Sequence, residues 1–330
     1  MAWMIGIDEA GYGPNLGPLV VAATAWRVQR FAPSAGRNAP PTDLYAQLAD
    51  AVSSNSIDDR IAIADSKLLY KPRGGLRLLE RGVLTGLEVV RGQAATRWQH
   101  FWDATLADPA GHRHRLPWYV DYDCPLPINA DATELADLRS TFQTCCEKAN
   151  VALVDIRARA VFPREFNDLT DRYGTKGAAL SHVSIALAKD IVKLLSANPQ
   201  SPVPIHITCD KHGGRNRYAA LLQHHFPDEW IETQVESRSA SRYQWGPPER
   251  RTEITFRTQG EAELPTALAS MSAKYLRELA MRAFNEFWNE KVPGLQPTAG
   301  YPVDAKRFRA EIADEQRKLS IDDRDLWRTR

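Results

Sequence analysis

The sequence predicts an α/β protein, in which a sheet carries helices packed on it and a helical C-terminal part follows. Three observations predict it. Apolar strand-like runs alternate with segments of helical period. The strand-like runs cluster early, whereas the last long periodic segments, 265–290 and 303–317, are helical. Two strand-like runs end on carboxylates, at Asp8-Glu9 and at Asp210, as open α/β sheets present functional side chains at strand ends.

In chain order, residues 3–8 are a short apolar strand, 9–18 a turn with three glycines and two prolines, and 19–27 a second strand, the two making a hairpin-like pair. Residues 43–53 read as a helix. "IADSKLL" at 63–69 follows, then a helix at 73–80 and a strand near 83–90. Residues 92–150 are rich in tryptophan and polar residues and contain one clear helix, at about 132–149. A strand is expected over 151–163, the strongest helix over 175–196 and an alternating strand over 204–210. A helix at 214–224 and strands at 229–235 and 252–257 precede the two C-terminal helices. Gly, Pro and Ser gather at 32–42, 197–204 and 245–250, which read as loops or insertions.

Composition bounds the function classes. A hydrophobic content of 43% and a charged content of 25% suit a globular chain with a real core. The formal net charge of +1 means that any basic surface must be local. The four cysteines make no CxxC pair, which argues against a zinc framework and for reduced thiols. No apolar stretch is long enough to cross a bilayer, and Asp8 and Glu9 interrupt the only early apolar run. The expectation is a cytoplasmic monomer.

A carboxylate at a strand end is costly to bury unless it is paired, hydrogen-bonded or metal-bound. One such acid reads as a cap for the next turn; three acids on two strand ends read as a site. Hard carboxylate oxygens without a neighbouring His or Cys group suit Mg²⁺ or Mn²⁺. The spacing Gly11-x-Gly13-x-x-x-Gly17 is not the dinucleotide fingerprint, and the Lys-Ser/Thr of a P-loop is missing.

"GIDEAGYGPNLGPLVVAA" at the N-terminal end resembles the opening motif of the type 2 ribonucleases H, ribonuclease HII and ribonuclease HIII. "DSKLL" at 65–69 resembles the second motif of that family, and "FNDLTDRYGTKGAALSHVSIALAKDIVKLL" the segment around an asparagine, here Asn167. "ITCDKHGGR" resembles the strand bearing the third acid, "FRTQGEAELPTALASMSAKYLREL" the stretch with the fourth, and "PGLQPTAGYPVDAKRF" the later Pro-Gly and Gly-Tyr. The motifs run in family order over nearly the whole chain.

The resemblance implies a ribonuclease H-like mixed sheet flanked by helices, with a C-terminal helical extension. Residues 1–264 would form the catalytic domain, with 92–150 as an insertion, and 265–330 a helical part packed on it. It implies hydrolysis of RNA in an RNA–DNA hybrid, or at a ribonucleotide embedded in duplex DNA, leaving 5′-phosphate and 3′-hydroxyl ends. The family acids carry over as Asp8, Glu9, Asp210 and Glu261, with Glu263 as the alternative fourth, and would hold two divalent cations, Mg²⁺ or Mn²⁺.

Gly11, Tyr12 and Gly13 would meet the 2′-hydroxyl, with Tyr12 where ribonuclease HII has Arg; Tyr12 either stacks on a sugar or base or packs. Tyr301 corresponds to the family's substrate tyrosine, and Ser66 and Lys67 either hold backbone phosphate or sit in an ordinary turn. Lys274 and Arg277 either face phosphate or a solvated helix face, and His212 either serves the product phosphate or is a polar turn residue. The competing class is a ribonuclease H-fold protein that binds nucleic acid without cutting it.

Overall fold

The computed structural model describes residues 1–29, 42–55, 59–71, 74–106, 112–196 and 203–329. Strands β1 (Ala2–Ala10), β2 (Leu19–Val28), β5 (Val151–Val161), β6 (Ile205–Asp210), β7 (Glu232–Glu236), β8 (Ala240–Trp245) and β9 (Thr252–Arg257) form one sheet, ordered β5-β2-β1-β6-β9-β8-β7. The short strands β3 (Val52–Ser53) and β4 (Ile61–Ala62) pair separately. The helices are α1 (Leu44–Gln47), α2 (Ser66–Leu69), α3 (Arg77–Arg91), α4 (Trp98–Thr105), α5 (Pro117–Val120), α6 (Ala132–Ala149), α7 (Pro163–Tyr173), α8 (Lys176–Leu195), α9 (Ala219–His225), α10 (Leu264–Lys291), α11 (Pro302–Lys318) and α12 (Asp323–Leu326).

The expected mixed sheet is present. β1 pairs antiparallel with β2 as the expected hairpin, and β2 antiparallel with β5. β1, β6 and β9 run parallel, so their C-terminal ends lie along one edge of the sheet. Alternation along β1 sends Ile5 and Ile7 to one core, with α7, α8 and α9, and Met4 and Ala10 to the other, with α3, α4, α6 and α10. The central strands β1 and β2 are therefore buried on both faces, whereas the edge strand β7 is exposed.

Helix α10 lies directly on the first strand. A Cβ at Gly6 would fall on the backbone of Pro265 and Thr266, so a glycine is what lets the helix come this close. Thr24 of β2 donates to the Pro265 carbonyl at 2.8 Å and accepts from the Trp26 indole at 2.9 Å, fixing the start of α10.

The segment 92–150 contributes to the larger core. Trp98, Phe101, Trp102, Trp118 and Tyr119 are buried; Phe101 and Trp118 pack edge to face on Tyr275 and Phe284 of α10, and Trp98 packs tilted on Trp102. The buried Glu80 carboxylate accepts the backbone N–H groups of Ile128, Asn129 and Ala130 at 2.5–2.8 Å and the Tyr275 hydroxyl at 3.0 Å. Packing is thus what most of the tryptophans do, the exception being Trp230, 85% exposed.

Several expectations are corrected. The strand near 83–90 and the helix at 73–80 are one helix, α3. Its run "VLTGLEVV" has strand-like β-branching, but Leu79, Val83, Leu84 and Leu87 are buried at helical spacing. The helix expected over 43–53 stops at Gln47, because Val52 and Ser53 are taken up by β4. The helix at 214–224 starts only at Ala219. Lys211 Nζ holds the Arg215 carbonyl and Asn216 Oδ1, and the Tyr218 amide donates to Tyr243, so 212–218 stay a tied loop. Strand β8 and helix α7 are additional to the expected elements: Ser241, Tyr243 and Trp245 alternate inward, and Pro163 stands at a helix start. The loop-like residues 32–41 and 197–202 lie outside the described residues.

Candidate active site

The acids meet where the three parallel strands end. Gly6 pairs with Thr208, and Ile7 with Cys209, so one further step along each strand sets Asp8 beside Asp210 on the same face. After β9 the chain turns through Gln259, at φ 59°, into a 3₁₀ turn over Gly260–Ala262 that delivers Glu261. Ligand oxygens of Asp8, Asp210 and Glu261 all lie within 4.8 Å of one another. The Gly260 amide donates to Asp210 Oδ1 at 3.2 Å and locks this turn to β6. Alternation leaves Glu9 outside the three-oxygen cluster, but it is close enough to feel the charges of Asp210 and Lys67.

These carboxyls resist ionisation. Burial, then the neighbouring Glu9, push Asp8 well above the usual carboxylate range, while a hydrogen bond to Ser270 opposes the shift. Burial and Asp210 raise Glu9 to about 7. Asp210 and Glu261 are raised as well, again by burial first. Four acids whose charge is this disfavoured fit a divalent cation, which would favour their ionised form. The donor set is all oxygen, as Mg²⁺ or Mn²⁺ prefers.

Glu261, not Glu263, joins the cluster. Glu263 accepts from Thr208 at 2.7 Å and from Arg257 at 2.8 Å, which turns it away. Lys67 is exposed and its Nζ lies 3.9 Å from Glu261, beyond a helix start capped by Asp65. Burial works against its charge, but Asp65, Glu261, Asp8 and Asp210 outweigh that and raise its pKa. Ser66 is buried and lies 3.1 Å from the Ser270 hydroxyl, so it stands behind Asp8 rather than at the surface.

Gly11 sits at φ 88°, and a Cβ there would meet the Arg277 side chain at 2.6 Å. The turn therefore needs glycine both for conformation and for space. Tyr12 is half-buried, with its pKa raised by burial and by Glu9, and its hydroxyl faces Gly177 of α8. The exposed Tyr301 ring stands beside Gly13, where a Cβ added to the glycine would meet it at 3.7 Å. A cleft of about 590 Å³ runs from Tyr12 along Thr175, Gly177 and residues 212–217, including Arg215 and Arg217.

Other singled-out residues sit elsewhere. Arg277 is buried and donates to the Ala299 carbonyl at 2.9 Å, so it faces neither phosphate nor solvent. Lys274 pairs with Glu278 at 2.6 Å and lies over the Tyr70 ring. His212 is buried against Ser181 and Cys209, and burial, then Arg215, lower its pKa to about 3. Sequence reasoning missed Ser270, which carries no signal beyond its place in an alanine-rich helix. It also missed a second group able to hold an ion, His182 with His224 and His225, whose ligand atoms lie within 4.8 Å. The adjacent "HH" was its only trace.

A mixed sheet flanked by helices, with a C-terminal helical region and carboxylates at the ends of parallel strands, is a ribonuclease H-like architecture. No family model matches the chain, and no curated protein matches it. Solved structures similar to it include ribonuclease HII from Archaeoglobus fulgidus, in complex with PCNA, at 15% identity over 99% of this chain and 94% of that one, TM-score 0.44. Ribonuclease H2 from Pyrococcus horikoshii is 14% identical over 98% of this chain and 92% of that one, TM-score 0.43. Bst-RNase HIII in complex with Mn²⁺ is 14% identical over 99% of this chain and 66% of that one, TM-score 0.39. The architecture stands on its own strand order rather than on these distant likenesses. Among the described residues no helix is long and apolar enough to cross a membrane.

Proposed function

We propose that this chain is a metal-dependent endoribonuclease. It hydrolyses the RNA strand of RNA–DNA hybrids, or cuts at ribonucleotides embedded in duplex DNA, and leaves 5′-phosphate and 3′-hydroxyl ends. The observation that carries this is the convergence of Asp8, Asp210 and Glu261 within 4.8 Å at parallel strand ends, with Glu9 next to Asp8 in β1. These four acids would hold two divalent cations, Mg²⁺ or Mn²⁺, which when bound activate water and offset charge on the phosphate.

The remaining roles belong to the chain. Ser270 orients the Asp8 carboxyl from behind. Lys67, exposed beside Glu261, supplies positive charge to the nucleic-acid backbone. The Gly11–Gly13 turn offers backbone groups at close range to a 2′-hydroxyl, which both donates and accepts. Tyr301 presents an exposed ring next to that turn. Tyr12, lining the cleft with Arg215 and Arg217, takes the place beside the sugar.

The test uses three end-labelled duplexes, in Mg²⁺ and in Mn²⁺: an RNA–DNA hybrid, a DNA duplex with one ribonucleotide, and an all-DNA duplex. Cutting confined to ribonucleotide-containing strands, and lost in Asp8→Asn, is the expected result. Duplex binding without cutting in either metal would overturn the enzymatic reading in favour of a non-catalytic ribonuclease H-fold binder.

A further inference from the structure

Three histidines meet between α8 and α9. His182 comes from α8, and His224 and His225 are the last two residues of α9. The three ring centroids form a nearly equilateral triangle, with sides of 5.2 Å (His182–His224), 5.1 Å (His182–His225) and 5.2 Å (His224–His225). His182 Nδ1 lies 3.0 Å from His225 Nε2. Tyr173 covers a face of the His182 ring, stacked at 3.6 Å and 14°.

That triangle has the dimensions of a tetrahedral metal site. Zinc–imidazole bonds are about 2.0–2.1 Å, and a ring centre lies about 1.2 Å behind its nitrogen, so tetrahedral angles put neighbouring ring centres about 5.2 Å apart and bonded nitrogens about 3.3 Å apart. Ring packing alone can give spacings of about 5 Å, but here the ligand nitrogens of all three rings also lie within 4.8 Å of one another. The donor set also differs from that of the acid cluster. Three imidazoles and no carboxylate suit Zn²⁺, whereas Mg²⁺ and Mn²⁺ prefer oxygen.

We propose that His182, His224 and His225 form a zinc site, with a fourth position open to water beside the exposed His224. It is independent of the Asp8–Asp210–Glu261 cluster. Zinc there joins α8 to α9. The loop 212–218 that follows Asp210 leads straight into α9 through Tyr218, and α8 carries Gly177 against Tyr12. The ion thus braces both walls of the cleft lined by Tyr12, Gly177 and Arg215.

The full chain, stripped with chelator and then held in excess Mg²⁺, is titrated with Zn²⁺ by calorimetry, with thermal melting in parallel. Cobalt(II) substitution adds a visible spectrum diagnostic of tetrahedral coordination. One zinc per chain and a raised Tm are expected, both retained in Asp210→Asn. His224→Ala and the milder His224→Gln should weaken zinc binding about a hundredfold or more while leaving the metal-free Tm unchanged, because the residue is exposed. The assignment is overturned if the folded chain binds no zinc, if both His224 variants bind it as tightly as the parent, or if binding disappears in Asp210→Asn.

Discussion

The guanidinium of Arg328 donates to the carbonyl of Gly11 at 2.7 Å, so a residue near the far end of the sequence holds the turn that follows the first strand. The same nitrogen reaches the Pro14 carbonyl. Around it, Arg328 and Asn15 exchange main-chain and side-chain hydrogen bonds at 2.8 and 2.9 Å, and Leu16 bridges to Trp327. Asn167 clamps the strap from the other side, donating to Trp327 and accepting from Thr329. Arg328 is fully buried over the Phe166 ring.

Arg328→Met should keep the volume and remove the donors. The Gly11 and Pro14 carbonyls would then lose a charged partner, a loss of about 1–3 kcal/mol. The cost is tempered because burial, then Arg277, already disfavour this cation and lower its pKa to about 9. The expected outcome is a Tm lower by about 2–5 °C together with a larger fall in ribonucleotide cleavage, since the loosened turn is the one beside the acids. Melting curves and cleavage rates on one preparation check it; equal rates with an unchanged Tm would show that the strap positions nothing.

The pH dependence follows from the raised acids. Glu9 has its folded pKa near 7, above its ordinary 4.5, through burial and then Asp210. Between those values the native state binds the extra proton, so without metal this group's contribution to stability is present below about pH 4.5 and is lost as pH rises through about 7. Glu9→Gln should therefore stabilise the metal-free chain at pH 8 by about 1–3 kcal/mol and have little effect at pH 4. Urea unfolding of parent and variant at both pH values measures it. Added Mg²⁺ or Mn²⁺ should reverse the order at pH 8, because only the parent's carboxylate gains from the cation.

Glu261 and Glu263 separate two functions that lie two residues apart. Glu261→Gln removes an oxygen from the cluster and should leave the fold intact while cutting the metal-dependent rate about a hundredfold or more. Glu263→Gln weakens the bonds to Thr208 and Arg257 instead. It should cost about 1 kcal/mol of stability and leave Mn²⁺ affinity near that of the parent. Manganese titration of both variants distinguishes the two.

That pair also marks how far the sequence could be read. Asp8, Glu9 and Asp210 were legible because an apolar strand that ends on an acid is a local pattern. The choice between Glu261 and Glu263 was not, because it depends on the Gln259 turn and on partners in β6 and β9. Likewise α8 and α10 announced themselves by length and period, whereas α3 was split by a run of β-branched residues whose burial only the packing of α10 reveals. Arg328 and Ser270 had no local signature at all, and Arg277 had only its place on a helix near Lys274. Each is defined by a carbonyl or carboxyl supplied from a remote part of the chain.

Gly6 tests the link between the sheet and the site. Its Cα faces the first turn of α10, and an added Cβ would fall on the main chain of Pro265 and Thr266 rather than on a flexible side chain. The helix cannot yield locally, because Thr24 pins the Pro265 carbonyl at 2.8 Å and the next turn carries Ser270 to Asp8. Gly6→Ala should therefore cost about 3 kcal/mol or more by overpacking, despite alanine's ordinary tolerance in strands. Because the same shift withdraws Ser270, the folded fraction should also show weakened Mn²⁺ binding. Denaturant midpoints together with metal titration below the transition would expose either effect. A stable Gly6→Ala chain with parental metal affinity would mean that α10 is free to move off β1, and that Asp8 does not depend on it for orientation.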